Sequence, residues 1–500
     1  MQQPHKRIET NVTEPIISLN RETEIALVGG GLVGSLLALS LARRGFDVDV
    51  YERRPDMRTS KISAGRSINL ALSTRGIKAL NAVGLEEKVL KIAIPMRGRM
   101  IHPINGELAF QQYGKDDTEY INSISRGDLN KLLLTEAEST KHANFHFQQK
   151  AIGIDLFRNT LELENEKKNE ITTLAAQIII GTDGSASAIR NDMKTLPSFS
   201  NSEDQLDYGY KELAIPAGKN DTWQIEKHAL HIWPRGTFML IALPNLDGSF
   251  TCTLFLPFEG TKSFEHLQTR EAVVDFFKTE FPDAFALMPD IADDFFENPT
   301  GSMVTVKCGP WNVEGRSLLL GDAAHAIVPF FGQGMNCGFE DITVLEECID
   351  NHTASGGSLY LERRQKHDHE DAPRRFKEGS SGWRWVFDDF YQTRKVNSDA
   401  IADLAVENFT EMRDKVGNPR FLLEKAVEKR LQNEFPGEYV SRYGLVTFTN
   451  RPYSLAMEAG HITDEILSEL CTGISAPEEI DLKLAQKLIQ TKLSPILATK

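Results

Sequence analysis

Cysteine is scarce in this chain. The five residues, Cys252, Cys308, Cys337, Cys348 and Cys471, are scattered, and none stands in a Cys-x-x-Cys pair. An odd and sparse set excludes a disulfide scaffold and points to a reducing, cytoplasmic setting. Basic charge is also in short supply, with 56 Lys and Arg against 71 Asp and Glu, a formal net charge of −15. That balance favours solubility and argues against a nucleic-acid partner. Long apolar runs are missing. No stretch approaches the roughly 18 residues that a membrane span needs. The first residues are charged and lack an apolar run, so no secretory signal is expected. The last helical pattern ends in polar Ala498-Thr499-Lys500, which does not read as a membrane anchor. No metal site is expected. The apolar fraction of 41% is ordinary for a globular protein. Five hundred residues suffice for two or three packed domains.

What is present begins with the stretch Glu24 to Glu52. Ile25 to Val28 is a short apolar strand, followed at once by Gly29-Gly30-Gly31-Leu32-Val33-Gly34. A helical pattern runs from Leu32 to Arg44, a second strand from Phe46 to Tyr51, and Glu52 closes the unit. This is the order of a dinucleotide-binding βαβ unit. Gly29 permits the tight turn, Gly31 lets the backbone approach a pyrophosphate, and Gly34 lets helix and strand pack closely. The free N–H groups at the helix start then face the phosphates. Glu52 is placed to accept bonds from a ribose hydroxyl pair and disfavours a 2'-phosphate, which leaves NAD or FAD. A second glycine fingerprint of this kind is lacking.

Residues 1–22 are polar and irregular and read as a loose arm. Gly65 to Ser73 mixes small, polar and apolar residues around Arg66 and Ala71. It leads into a helix from Thr74 to Val83 that Gly84 stops. Residues 96–124, with Arg97, Arg99, His102 and Tyr113, read as strands joined by turns. Ser125 and Asp128 stand in capping-box relation ahead of a helix carrying Leu129, Leu132, Leu133 and Ala137. Arg126 in that first turn is mismatched to the helix dipole unless an anion such as a pyrophosphate lies beside it. Residues 145–180 form a small β meander with a charged hairpin near Glu164 to Glu170. It closes on a buried strand, Gln177 to Ile180, and the turn Gly181-Thr182-Asp183-Gly184. That strand is expected to return to the first sheet and lay a second turn over the cofactor.

Residues 205–300 change character. Leu230 to Pro234, Thr237 to Leu243 and Phe250 to Phe258 are strand-like, with Asn245 to Gly248 as a hairpin loop. They predict an antiparallel sheet flanked by a helix from Phe264 to Phe277. Met239, Ile241 and Leu243 share one face of a strand, suited to a sheet core or to a pocket wall. Residues 301–310 are expected to return toward the first domain. A third landmark follows: a buried strand, Ser317 to Leu320, then Gly321-Asp322, the loop Pro329 to Gln333, and a helix through Cys348 that starts at Gly334-Met335-Asn336. Asp322 suits ribityl hydroxyls. The backbone N–H groups near Gly334 to Asn336 suit an anionic flavin edge. His325 could serve as a general base, but a structural histidine packed beside the loop reads at least as well, and it is not taken as a site residue. The last 130 or so residues read as mostly helical, with Tyr443 to Phe448 as a loop and strand. Trp383-Arg384-Trp385 reads as helix packing, since it lacks the Ile-Pro that follows the similar pair of tryptophan halogenases.

The glycine turn, Gly181 to Gly184, and Gly321-Asp322 with its Pro-Phe-Phe-Gly loop come in an order that resembles the single-component FAD aromatic hydroxylases of the p-hydroxybenzoate hydroxylase type. Pro95 to His102, Ser123 to Arg126, His231 to Arg235, Phe238 to Asn245, Phe330 to Asn336 and Leu445 to Phe448 further resemble the kynurenine 3-monooxygenase family, over roughly residues 23–455. The resemblance implies an α/β fold. A Rossmann-like FAD-binding domain would be built from 23–95, 125–204 and 301–350. A substrate-binding antiparallel sheet would take 96–124 and 205–300, and a C-terminal helical region, 351–500, would close the substrate site. It implies bound FAD and transient NADPH, with O2 and L-kynurenine as substrates and no acid–base residue. Ring hydroxylation at C3 would proceed through a C4a-hydroperoxyflavin, in tryptophan degradation and quinolinate and NAD biosynthesis. Motif by motif, the cofactor set comprises Gly29, Gly31, Val33, Gly34, Glu52, Arg53, Arg66, Arg126, Asp183, Gly321, Asp322, Gly334, Met335 and Asn336. The family's carboxylate-holding arginine and tyrosine fall at Arg99 and Tyr113, joined by Asn408 and Tyr443. The ring pocket falls at Ala71, Leu230, Met239, Ile241, Leu243, Phe255, Pro329 and Phe330. A monomer or homodimer is expected. Two alternatives stay open: a flavin hydroxylase of another aromatic acid, and a flavin-binding protein without catalysis.

Overall fold

The computed structural model describes residues 22–59, 69–104, 106–114, 118–359, 381–414 and 418–498. Arg66 and the N-terminal arm lie outside them. The first core is an eight-stranded sheet. Its parallel heart runs Ser317–Leu319, Glu170–Gly181, Glu22–Val28, Val48–Glu52 and Ala143–Phe147. Ile25, Leu27, Val48, Val50, Ile178, Ile180, Leu318 and Leu319 are fully buried, the pattern of a sheet covered on both faces. The helices Leu32–Arg43 and Gly334–Ala354 pack on it. The strand Glu170–Gly181 does return beside Glu22–Val28, after the antiparallel meander Lys150–Asp155 and Thr160–Asn165.

The second sheet has seven strands. Four of them, Ser200–Ile215, Phe250–Pro257, Met239–Pro244 and Ala229–Pro234, pair antiparallel in that order. The strand Gly98–Ile101 joins parallel to Ala229–Pro234, and Ala109–Gln112 forms the edge. Strand alternation divides its two faces. Leu240 and Ala242 turn to the core shared with the helix Arg270–Glu280, whereas Met239, Ile241 and Leu243 turn to the opposite face. A small sheet of Asn69–Leu72, Ile121–Ser125 and Ala93–Met96 stands between the two large ones. The C-terminal helices Ser381–Asp414, Pro419–Glu434, Arg442–Phe448 and Tyr453–Leu470 build a further core around Ile401, Leu404, Val427, Leu431 and Ile466.

Three local expectations are corrected, and two strand pairings are added. Tyr443 to Phe448 is a helix, not a strand: Ser441 Oγ accepts the Gly444 N–H at 3.1 Å, and this cap with the burial of Leu445 and Val446 overrides their strand preference. Phe264 to Phe277 is broken into a 3-10 turn, Phe264–His266, and the helix Arg270–Glu280, because Thr269 caps a new start. Residues 300–309 form a strand paired with Ser200–Ile215 in the second sheet, and 121–125 belong to the small sheet. Trp383 is buried, but Trp385 is 69% exposed, so only the first tryptophan of that motif packs.

Candidate active site

The glycine turn is held from three sides. Gly29 adopts φ +103, where a side chain would press on the Thr182 backbone at 2.6 Å. A β-carbon at Gly34 would lie 1.9 Å from the Gly29 oxygen, so helix and strand touch as the spacing predicts. Thr182 Oγ1 donates to the Val28 and Gly29 carbonyls at 2.9 Å, and Asn130 Nδ2 donates to the Gly30 carbonyl at 3.0 Å. Gly31 faces open space, with no atom within 4 Å of a β-carbon built there. It caps the helix Leu32–Arg43 without a side-chain bond, and no acid stands in the first turn. These are the conditions under which helical N–H groups receive a phosphate.

Glu52 is buried at the end of its strand, as the motif requires. Its Oε2 accepts the Gly30 N–H at 2.8 Å, and its Oε1 accepts the Arg54 N–H and guanidinium. Burial opposes ionisation, but Arg54 and Gly30 hold the carboxyl below its usual range. A ribose would therefore share this carboxylate with Arg54, a residue that sequence reasoning passed over. Neighbouring Arg53 is exposed.

The second and third turns meet the first. Asp183 Oδ2 accepts the Ala188 N–H at 2.8 Å, while Oδ1 is buried with no partner among the described residues. Burial raises this carboxyl. Gly321, at φ +63, lies against Val33. Asp322 follows it and is exposed at the surface of the turn, though nearby protein desolvates its carboxyl. Burial raises its carboxyl, and the charge of Arg126 pulls the other way. Arg126 itself is exposed at the first position of its helix, with Ser125 capping as expected. Gly334, Met335 and Asn336 form the first turn of a 21-residue helix, where N–H groups have no intrahelical acceptor. The Asn336 side chain is committed to the frame. Its Oδ1 accepts the Ser73 N–H at 2.9 Å and its Nδ2 donates to the Ala71 and Gly332 carbonyls. Open Gly31, the bare Asp183 oxygen and the carboxylate of Asp322 have the chemistry of a site that would hold an adenine dinucleotide.

The expected carboxylate-holding residues gather around Arg99. Its guanidinium carbon lies 4.8 Å from the Tyr443 ring centroid and 5.4 Å from that of Tyr113. The two tyrosine rings stack at 5.5 Å with 15° between planes. Arg99 Nε and Tyr113 Oη are buried, and neither has a hydrogen-bond partner among the described residues. Burial raises the Tyr113 phenol well above its ordinary range, so it stays a neutral donor. Asn408, on the long helix, donates its Nδ2 to the Phe330 carbonyl at 2.8 Å. The amide therefore ties the C-terminal helix to the loop after Asp322.

The expected pocket residues fall into two abutting apolar clusters. Met239, Phe255 and Phe330 gather with Tyr208, Met303 and Phe409. Ala71, Leu230 and Leu243 gather with Met96, Ile121, Tyr113 and Phe448. Ile241 belongs to both. Pro329 is exposed at the start of a 3-10 turn. Phe409, stacked on Phe330 at 4.4 Å, was missed. Its place beside Asn408 in the sequence was the available signal.

Of the two readings of His325, the packing favours the framework one. Its Nε2 bonds Asp341 at 2.6 Å, and Cys337 Sγ lies 3.9 Å from Nδ1. The three could crowd a metal ion, their ligand atoms lying within 4.8 Å of one another. However, Arg394 donates to Asp341 at 2.8 Å and sits 3.3 Å from the sulfur, so a guanidinium supplies the positive charge there.

Comparison with known proteins agrees with this geometry. The FAD binding domain family matches residues 22–358. A kynurenine 3-monooxygenase of Myxococcus xanthus is 53% identical over 477 residues, covering 95% of this chain and 97% of the relative. One from Dictyostelium discoideum is 48% identical, covering 94% and 98%. Among solved structures, the fold is similar to 2-methyl-3-hydroxypyridine-5-carboxylic acid oxygenase, with TM-score 0.60, 18% identity, and 81% of this chain and 96% of that one covered. It is likewise similar to p-nitrophenol 4-monooxygenase of Pseudomonas putida, with TM-score 0.59, 18% identity, and coverage of 90% and 97%. By the extent and level of identity, the chain carries an FAD binding domain and belongs to the kynurenine 3-monooxygenase family.

Proposed function

We propose that the chain hydroxylates L-kynurenine at C3, using NADPH and O2. The observation that carries this reading is Arg99, whose buried Nε is bare, beside the bare and buried Tyr113 hydroxyl, set against the apolar wall around Ile241. An amino acid with an aromatic ring has the matching halves. Its carboxylate satisfies the guanidinium, whose planar fork suits two carboxylate oxygens. Tyr113 and Tyr443 offer hydroxyls to the same group, and the ring lies against Leu230, Met239, Ile241, Leu243 and Phe255. Bound FAD supplies the redox chemistry, from NADPH oxidation to oxygen activation. The protein's share is orientation and exclusion of water. An aniline ring is already electron-rich and needs no deprotonation, in keeping with the absence of any acid–base residue from the proposed set. Glu52, Asp183, Asp322 and the first turn at Gly334 would hold the cofactor. The helices from Ser381 onward, through Asn408 and Tyr443, would close the site.

No helix among the described residues is long and apolar enough to cross a membrane. All five cysteines are free and buried. These two facts support our inference of a cytoplasmic enzyme.

The test is anaerobic mixing of the FAD-loaded enzyme with NADPH, with and without L-kynurenine, followed by O2 and product analysis. Anthranilate and 4-hydroxybenzoate serve as comparators. Fast flavin reduction with kynurenine alone, then 3-hydroxykynurenine, is the expected result. Equal reduction rates with every compound, or peroxide as the sole product, would overturn the substrate assignment.

A further inference from the structure

Arg75 is almost wholly buried, yet each of its three guanidinium nitrogens has an acceptor. Nε donates to the Val446 carbonyl at 3.1 Å, Nη1 pairs with Glu340, and Nη2 donates to the Arg451 carbonyl. Its flat face covers the Tyr453 ring at 3.8 Å from the centroid, and Tyr453 donates to Gln333 at 3.0 Å. Val446 lies near the end of the helix Arg442–Phe448, where carbonyls lack intrahelical partners. Arg75 therefore acts as a C-terminal cap supplied by a distant helix, and its charge faces the negative end of the helix dipole. A seven-residue helix has little stability of its own. Its position depends on what grips it, and it carries Tyr443.

The grip continues inward. The second oxygen of Glu340 accepts from Arg394 at 2.8 Å, and Arg394 Nε donates to Asp341 at 2.8 Å. Asp341 Oδ2 accepts the Gly321 N–H at 3.0 Å. A relay of buried charges thus joins the Tyr443 helix to the turn that presents Asp322.

We propose that Arg75 is a positioning residue for substrate recognition: it holds the Tyr443 helix in register with Arg99 and Tyr113, and through Glu340 and Arg394 it keys that register to the Gly321 turn. The inference rests on reading the Arg99 recess as the substrate site.

The test is a double-mutant cycle on FAD-loaded full-length protein, with Tyr443→Phe, Arg75→Lys and the pair. The readouts are the kynurenine dissociation constant, from the perturbed flavin spectrum, and KM against kcat. Loss of one hydrogen bond to a charged group predicts about tenfold weaker binding for Tyr443→Phe. Lysine cannot span the three acceptors, so Arg75→Lys should weaken binding to a similar degree, with KM rising more than kcat falls and flavin content retained. If Arg75 works through the Tyr443 hydroxyl, the double variant should be within about twofold of the worse single one. Losses that multiply, or unchanged binding in Arg75→Lys, would overturn the inference and leave the substrate site standing. No effect of Tyr443→Phe would overturn both. Should Arg75→Lys fail to fold, Glu340→Gln takes its place in the same cycle. It should weaken binding two- to fivefold in the wild-type background and less than twofold with Tyr443→Phe, and multiplying losses would again refute the proposal.

Discussion

Arg394 is buried as a whole and Arg99 buries its Nε, and the two are treated in opposite ways. Arg394 is 2% exposed and donates to Asp341, Glu340 and the Cys337 carbonyl. Arg99 has an aromatic face on either side, no ion pair among the described residues, and an Nε with no acceptor. Arg190 also leaves its Nε bare, but its terminal nitrogens reach Ala323, Ser185 and Glu203. A buried donor without an acceptor costs about 1–3 kcal/mol. The saturated arginine belongs to the frame, and the unsaturated one is the one we propose to meet a ligand. Burial of a guanidinium nitrogen alone does not tell a structural charge from one we propose to bind; among these three, what differs is whether the charge has an ion-pair partner.

The contrast can be broken most severely at Asp341. Asp341→Ala strands Arg394 and His325 together, and should cost about 3–5 kcal/mol of unfolding free energy with loss of flavin retention. Denaturant titration of the holoenzyme measures it, and a loss under 1 kcal/mol would mean that the network is not the frame. Arg99→Met should do the reverse. It removes about 2–4 kcal/mol of recognition, some 30- to 1000-fold in kcat/KM for kynurenine, with little change in melting temperature. Arg99→Lys keeps the charge without the fork and should fall between the two. A smaller effect is expected at Ile241, which belongs to both apolar clusters. Ile241→Ala should lower kcat/KM about tenfold, as expected for about 1.4 kcal/mol, and raise the share of NADPH oxidised to peroxide, which peroxide assay detects.

The smallest effect concerns pH. Burial disfavours the His325 imidazolium, but Asp341 and Cys337 beside it prevail and hold its pKa well above 6.5. Asp341 is lowered below 3.8: burial opposes this, while His325 and Arg394 overcome it. The raised histidine contributes stability that is whole below about pH 6.5 and fades as pH rises through its folded value. The lowered carboxylate contributes above about pH 4 and fades as pH falls through its folded value. Unfolding measured from pH 6 to 10 should show an alkaline decline of at most about 1.4 kcal/mol per pH unit from this group, absent in His325→Gln.

Much of this was legible in the chain, for local reasons. The turn from Gly29 to Gly34 and the return of Gln177 to Gly181 follow from glycine sterics and apolar runs, and both stand where the spacing put them. Met239, Ile241 and Leu243 sharing a face follows from the period of a strand. Arg99, Tyr113 and Tyr443 could be singled out only through family resemblance, because they lie far apart in sequence and no periodicity links them. The Tyr443 helix was misread because Val446, Thr447 and Phe448 prefer strands, and only tertiary packing reverses that. The pairing of Arg75 with Glu340, and of Arg394 with Asp341, left no local trace. A charged residue on a helix looks solvated until the element covering it is known.

The strand Ser317–Leu319 and the helix Gly334–Ala354 complete the nucleotide fold well before residue 443 leaves the ribosome. The grip of Arg75 on Val446 therefore joins an early-made half to a late-made one. We expect a nick between them to uncouple the two halves and raise peroxide at the expense of product, so chain integrity can be assayed by that balance.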